Sequence, residues 1–205
     1  MSKVRVHIST SLDGYVAGPN QSQEKPLGAG GEELHEWLVP LKAWREGAGM
    51  EGGEVNVSNE VFDEVIANVG AEIMGRGKFG PAGRGPWGDD PPFRKPVFVV
   101  THHEREPLTL SDTTFTFVTD GIESALERAR EAAGGKDVFI GGGAATINQY
   151  LAAGLVDEVE LHVVPLLLGG GARLFDGVGP DLKLEELRAV EAPGVAHLKY
   201  RVVKH

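Results

Sequence analysis

The sequence predicts an α/β fold whose sheet ends in an antiparallel portion. Three observations carry this. Short β-branched runs alternate with helical patterns as far as Leu151. Beyond Val156 the chain turns strand-rich, which reads as antiparallel pairing at the C-terminal end. Glycine clusters punctuate the strand ends without a fixed period, so they read as special loops inside one domain spanning 1–205 rather than as repeats.

Taken in order, Lys3–Ser9 alternates Val4, Val6 and Ile8 against Lys3, Arg5 and His7, the period of a strand. Glu32–Arg45 reads as a short helix interrupted near Pro40, and Gly47–Gly53 as loop. Ser58 is placed to cap a helix running to about Asn68, with Val61, Phe62, Val65, Ile66 and Val69 as its apolar stripe. Ala71–Met74 is a brief buried strand. The five prolines of Pro81–Pro96 make that stretch an excursion without regular structure. Val97–Thr101 and Phe115–Val118 are strands. Asp120 with Glu123 forms a capping-box pattern for a helix over Ile122–Ala133 that stops at Gly134-Gly135. Asp137–Ile140 is strand, followed by three glycines and a helix to Leu151. Val156–Val164, Leu182–Glu191 and Val195–Val203 read as strands, the last two joined around Pro193-Gly194.

Composition narrows the function classes. The chain has 205 residues, 30 acidic and 20 basic side chains, a net charge of -10 and no cysteine. The absence of cysteine excludes disulfides, thiolate catalysis and cysteine-ligated zinc. An acidic pI near 5.2 argues against general nucleic-acid binding. The longest apolar run, Val163–Leu168, falls far short of the ~20 residues that span a bilayer. A soluble, cytoplasmic protein is expected, with neither nucleic acid nor membrane as partner.

Four stretches carry chemistry. Val138–Ile140 runs into Gly141-Gly142-Gly143 and then Ala144-Ala145-Thr146. Glycines admit close approach, and a helix start presents free N–H groups, a combination that suits a pyrophosphate; the other reading is a tight strand–helix turn. Gly75-Arg76-Gly77-Lys78 puts two cations at a strand end, and arginine's fixed fork matches phosphate oxygens; the other reading is a solvated loop. Ser9–Gly18 contains Asp13-Gly14, a common turn signal. Thr101, His102, His103 and Arg105 close another strand with donors. No metal site is expected, since adjacent histidines lack a third ligand at suitable spacing.

In this order the stretches resemble the dihydrofolate reductase superfamily. They are most similar to the reductase domain of bifunctional riboflavin-biosynthesis deaminase-reductases and its stand-alone relatives. The match rests on Ser11–Gly18, Ile73–Gly77, Val138–Gly143 and Val156–Pro165, with the trailing Leu168–Phe175. The resemblance implies a mostly parallel central sheet flanked by helices, with NADPH bound across strand C-termini. It places Gly75, Arg76, Gly77 and Lys78 near the cofactor phosphates, with Arg76 reading the 2′-phosphate. Thr101 and His102 would flank the adenosine ribose phosphate. Gly141, Gly142, Gly143, Ala144, Ala145 and Thr146 would receive the pyrophosphate. Ser9, Val16 and Ala17 would border the nicotinamide.

The chain departs from the family's pattern on both the cofactor and the substrate side. Lys78 stands where threonine is frequent. Asn59 aligns with the substrate-binding carboxylate of true dihydrofolate reductases, and asparagine forms no ion pair with a protonated pterin. Asp63, one turn further on, is the nearest replacement. Asp13 and Asp63 are the candidate catalytic anchors, and Asn59, Phe62 and Trp87 the candidate substrate contacts. The expected activity is NADPH-dependent reduction of a small heterocycle such as 5-amino-6-(5-phosphoribosylamino)uracil. The alternatives are a dihydrofolate or pterin reductase and a non-catalytic NADPH-binding domain. A homodimer is expected, with Val163–Leu168 as a candidate contact.

Overall fold

The computed structural model describes residues 2–80 and 87–204; the expectation for Pro81–Pro86 lies outside them. The chain runs β1 (Val4–Ser11), β2 (Tyr15–Ala17), a 3-10 turn (Gly31–His35), α1 (Lys42–Gly47), α2 (Val57–Ala67) and β3 (Val69–Gly75). It continues through α3 (Arg76–Phe79), β4 (Val97–Val100), β5 (Leu108–Leu110), β6 (Thr113–Val118), α4 (Ile122–Ala132) and β7 (Asp137–Gly142). It ends with α5 (Ala144–Ala152), β8 (Glu158–Val164), β9 (Ala172–Arg173), β10 (Lys183–Ala192) and β11 (Val195–Val203).

Among the described residues, nine strands form one sheet in the order β10-β11-β8-β1-β7-β3-β4-β6-β5. From β8 to β6 every pairing is parallel. β11 and β10 add antiparallel strands at one edge and β5 at the other. β2 and β9 pair separately. The α/β class, the parallel centre and the antiparallel C-terminal strands are thus as the sequence predicts.

The two faces of the sheet differ in chemistry. Val4, Val6, Ala71, Ile73, Val138, Ile140 and Val159 line one face and are buried against Ala125, Leu126 and Ala129 of α4 and Ile147 and Tyr150 of α5. The other face carries Arg5, His7 and Ser9 of β1, opposite Glu158, Glu160 and His162 of β8. Next to these stand His197 and Lys199 of β11 and Glu72 of β3 beside Phe139 of β7. Helix α2 covers this polar face: Val61, Phe62 and Val65 are buried, and Glu64 accepts from Lys199 and Arg188 at 2.8 and 2.5 Å.

The interruption expected near Pro40 is present, dividing Glu32–Arg45 into a 3-10 turn and α1, because Pro40 removes a donor and Leu41 adopts an extended conformation. Other local expectations are corrected. Asn56, not Ser58, caps α2, its side chain accepting from Asn59 N at 3.1 Å. Ser58 lies within the helix. Gly121 caps α4, and no side chain closes that end. The Asp120 carboxylate instead accepts from Ser124 and Arg128, both at 2.9 Å. β8 starts at Glu158 rather than Val156, since Asp157 is engaged by Val4 N. Only the first part of Val163–Leu168 is strand; Leu167 lies beyond it and is exposed.

Candidate functional site

The parallel strands end along one edge, and their ends bring together most of the residues singled out in the sequence. Met74 pairs with Gly142, so Gly75 on β3 lies beside Gly141 and Gly142 at the end of β7 and Gly143 at the start of α5. Here the glycines have a steric reason. A Cβ on Gly75 would stand 2.2 Å from Thr146 Oγ1, and one on Gly141 would stand 2.1 Å from Glu72 Oε1. The strands and the first turn of α5 therefore approach closer than any side chain permits. Gly77 and Gly143, in contrast, have open space where a side chain would project.

Gly143 begins α5 without a side-chain cap, leaving N–H groups and the positive end of the helix dipole at this open edge. Arg76 and Gly77 are exposed at the start of α3, and Ala145 is exposed at the start of α5. On the next strand, Thr101 N donates to Val118 O, Thr101 Oγ1 accepts from His103 N at 3.1 Å, and His102 is exposed. Val16 and Ala17 of β2 are buried beside the same edge, and Val16 and Ala144 belong to one apolar cluster. Glycines, an uncapped helix start and an arginine fork fit a dinucleotide with phosphates.

Other predicted residues have different surroundings. Lys78 is directed inward: its ammonium donates to Glu72 Oε1 at 3.0 Å and to the Gly141 carbonyl at 2.8 Å. The Phe93 and Phe139 rings are each 5.8 Å away. A buried Glu72 carboxylate needs such a countercharge. The Asp13 carboxylate accepts from Ser11 Oγ at 2.6 Å and from the backbone N–H groups of Leu168 and Gly169 at 3.1 and 2.8 Å. The Ser11 hydroxyl, followed by those two amides, holds its pKa below the usual carboxylate range. Asp13 thus fastens the β1–β2 turn to the Leu168-Gly169 loop as an anion, which makes it a poor proton donor.

Asn59 is buried, with Oδ1 accepting from Ala43 N at 2.8 Å and Nδ2 donating to Asp63 at 2.9 Å. It fastens α1 to α2, while Asp63 is on the exposed side of α2. Phe62 is buried between Trp44 and His7, at ring separations of 6.2 and 6.4 Å. Trp87 packs edge-on against Phe93 at 4.8 Å.

Sequence reasoning missed the polar face itself. His7 stacks on Phe139 with ring centroids 4.0 Å apart, and burial, then His162 and Lys78, pushes its pKa well below the ordinary value. Trp37 Nε1 donates to Ser9 Oγ at 3.1 Å. His162 and His197 are buried behind Trp37, with ring separations of 4.7 and 5.0 Å from it. The available signal was the alternation of β1 and β8, whose polar set reads equally as a solvent-facing side. Among the described residues, no cluster of three or more potential ligands is placed to hold a metal. Among the same residues, no helix is long and apolar enough to cross a membrane.

Fold and edge together define a dihydrofolate-reductase-like α/β domain. The chain matches the family model of the RibD C-terminal domain over residues 2–197 and belongs to that family. By sequence it is similar to the uncharacterized protein YyaP of Bacillus subtilis, 27% identical over 147 residues, 68% of this chain and 77% of that one. Among solved structures, it resembles a putative riboflavin biosynthesis protein from Shewanella sp. PV-4, with a TM-score of 0.64, 23% identity and coverage of 98% and 99% of the two chains. It also resembles the Thermotoga maritima diaminohydroxyphosphoribosylaminopyrimidine deaminase/5-amino-6-(5-phosphoribosylamino)uracil reductase, with a TM-score of 0.60 and 15% identity, covering 98% of this chain and 57% of that one. Dihydrofolate reductase from Enterococcus faecalis, complexed with NADP(H), aligns with a TM-score of 0.55 and 12% identity, covering 98% and 97%. These likenesses share the fold.

Proposed function

We propose that the chain is an NADPH-dependent reductase of the riboflavin-pathway type. It would transfer hydride to a small heterocycle such as 5-amino-6-(5-phosphoribosylamino)uracil. The observation that carries the reading is the convergence of Gly75–Gly77, Gly141–Thr146, Thr101-His102 and Val16-Ala17 on one strand edge beside a polar sheet face. Open α/β sheets bind ligands at such edges.

In this reading the N–H groups at the start of α5 and the Arg76 guanidinium hold the cofactor phosphates. Lys78 is kept from them by Glu72 and Gly141, so it shapes the strand end. When bound, the cofactor supplies the hydride. The protein's tasks are to hold the acceptor in contact and to exclude water, which Trp37, Phe62 and Phe139 do on the polar face. Asn59, with both polar groups engaged, disfavours a protonated pterin as substrate. We further propose a single cytoplasmic domain acting as a homodimer, with Val163–Leu168, whose Leu167 is exposed, as the candidate contact.

The test is a binding titration of NADPH and NADH on wild type and Arg76→Ala. NADPH binding that weakens on substitution, with NADH unaffected, supports the reading; binding of neither sinks it. NADPH binding without turnover of pyrimidine or pterin substrates would leave a nucleotide-binding domain.

A further inference from the structure

The polar face holds a chain of buried groups that the strand edge does not use. His162 of β8 and His197 of β11 are paired across the two strands. Their Nδ1 atoms lie 2.8 Å apart, and His197 Nε2 lies 3.0 Å from Ser58 Oγ on α2. The chain ends at His162 Nε2, which is buried and has no hydrogen-bond partner. Native structures satisfy nearly all such atoms with protein, water or ligand, so this nitrogen is open to a partner from outside the chain. Nδ1 faces β11, and the other side of the ring therefore faces β1, where the His7 ring lies 5.9 Å away.

The chemistry of that atom follows from the chain behind it. Burial lowers the pKa of His162 to about 3 and of His197 to about 4, so both rings are neutral near pH 7. Two neutral imidazoles joined Nδ1 to Nδ1 carry one proton between them. If His197 donates it, His197 Nε2 accepts from the Ser58 hydroxyl and His162 offers an N–H. If His162 donates it, His197 Nε2–H donates to Ser58 Oγ and His162 offers a bare nitrogen. A serine hydroxyl serves both arrangements, so the unpaired end of the chain can be donor or acceptor.

Ser58 and Trp37 line a groove of about 350 Å³ between the Gly31–His35 turn, the start of α2 and the Pro193-Gly194 turn, within the size range of small-molecule pockets; it opens on the Ser58 end of the chain, and the two histidines lie behind Trp37. The same Trp37 ring covers both histidines and is tethered through Ser9. We propose that His162 contacts the substrate through Nε2, pairing with the lactam edge (adjacent C=O and N–H) of a flat heterocycle admitted beside Trp37. His197 and Ser58 are positioning residues that set the tautomer His162 presents. A lactam edge meets either tautomer. The identity of the ring rests on the reductase reading; the role of His162 rests on the buried chain.

The experiment follows the His162 ring nitrogens by 15N NMR during titration with 5,6-diaminouracil and with 5,6-diamino-1,3-dimethyluracil, which lacks lactam N–H groups. The expected result is a shift of the Nε2 resonance with the first compound and binding at least about tenfold weaker for the second, whose N-methyl groups block the lactam edge from the ring. His162→Gln places an amide near Nε2 and keeps binding. His162→Asn places one near Nδ1, keeps the bond to His197 and weakens binding about tenfold. Ser58→Ala moves the His162 resonances in the free protein, and Ser58→Thr restores them. A silent Nε2 resonance in wild type at any concentration of diaminouracil overturns the proposal, as does wild-type affinity in a folded His162→Asn. The wild-type titration decides even where a variant fails to fold. NADPH is titrated separately: NADPH binding with a silent His162 sinks this inference alone, and a responsive His162 without NADPH binding sinks the reductase reading alone.

Discussion

One face of the sheet is closed by side chains that fit only one another, the other by side chains that satisfy one another's charge. Under α4 and α5, Ile73, Ile140 and Val138 are wholly buried and apolar, as is Ile147 of α5 that packs on them. Under α2 and Trp37, Glu72, Glu158, Glu160, His162 and His197 are as deeply buried, but each is polar. Burying apolar surface stabilises without direction, whereas a buried charge is stable only with its partners in place. The first face makes the fold, and the second makes a chemically particular surface at the strand ends.

The largest expected effect comes from the apolar face. Ile73→Ala should cost about 4 kcal/mol, since the neighbours at a wholly buried central-strand position cannot collapse into the cavity; denaturant unfolding measures it. On the polar face, Glu160 accepts from Arg188 at 2.8 Å while its other oxygen has no partner. Arg188→Met strands that carboxylate and should cost about 3 kcal/mol. Adding Glu160→Leu should return most of the loss, a recovery with no counterpart on the apolar face. An equal cost for the double variant would break the comparison.

At the boundary between the faces, Gly75→Ala should cost about 2 kcal/mol by overpacking, because its Cβ meets Thr146 Oγ1 at 2.2 Å. Thr146→Ala removes that hydroxyl and leaves a 3.4 Å contact to the Cβ, so the pair should melt above Gly75→Ala alone. If the single variant melts as wild type, the close approach is not a constraint.

Acidity distinguishes the faces with a smaller effect near neutrality. Burial lowers the His162 and His197 pKa values to about 3 and about 4, below the ordinary value near 6.5. The unfolded chain then binds more protons than the folded one between those values. Stability held at pH 7 is therefore lost as pH falls from about 6.5 towards about 4. Tm measured across this range should fall, and less so in a His197→Gln variant. The least effect belongs to the surface. Asp120→Ala breaks exposed contacts to Ser124 and Arg128 and should change stability by about 0.5 kcal/mol or less.

The sequence by itself determined the class of fold and most of its strands. The alternation of Val4, Val6 and Ile8, the β-branched Val97–Val100, the glycine stops after α4 and the hairpin around Pro193-Gly194 are local signals, and local steric preferences decide them. It also singled out the glycine-rich strand ends, because a strand running into glycines and a helix start presents free N–H groups to an anion, while leaving a tight turn as the other reading. It misplaced the caps of α2 and α4, where Asn56 and Ser58, or Asp120 and Gly121, compete for adjacent positions with similar propensity. What only the tertiary structure decided is which polar residues are buried. Arg5, His7 and Ser9 alternate as a solvent-facing side would, and nothing in β1 announces that α2 and Trp37 cover them. His162 and His197 are separated by 34 intervening residues, and antiparallel pairing of β8 with β11 sets them side by side. Pattern is a property of neighbours along the chain; whether a polar atom finds water, a partner or neither is a property of what packs over it.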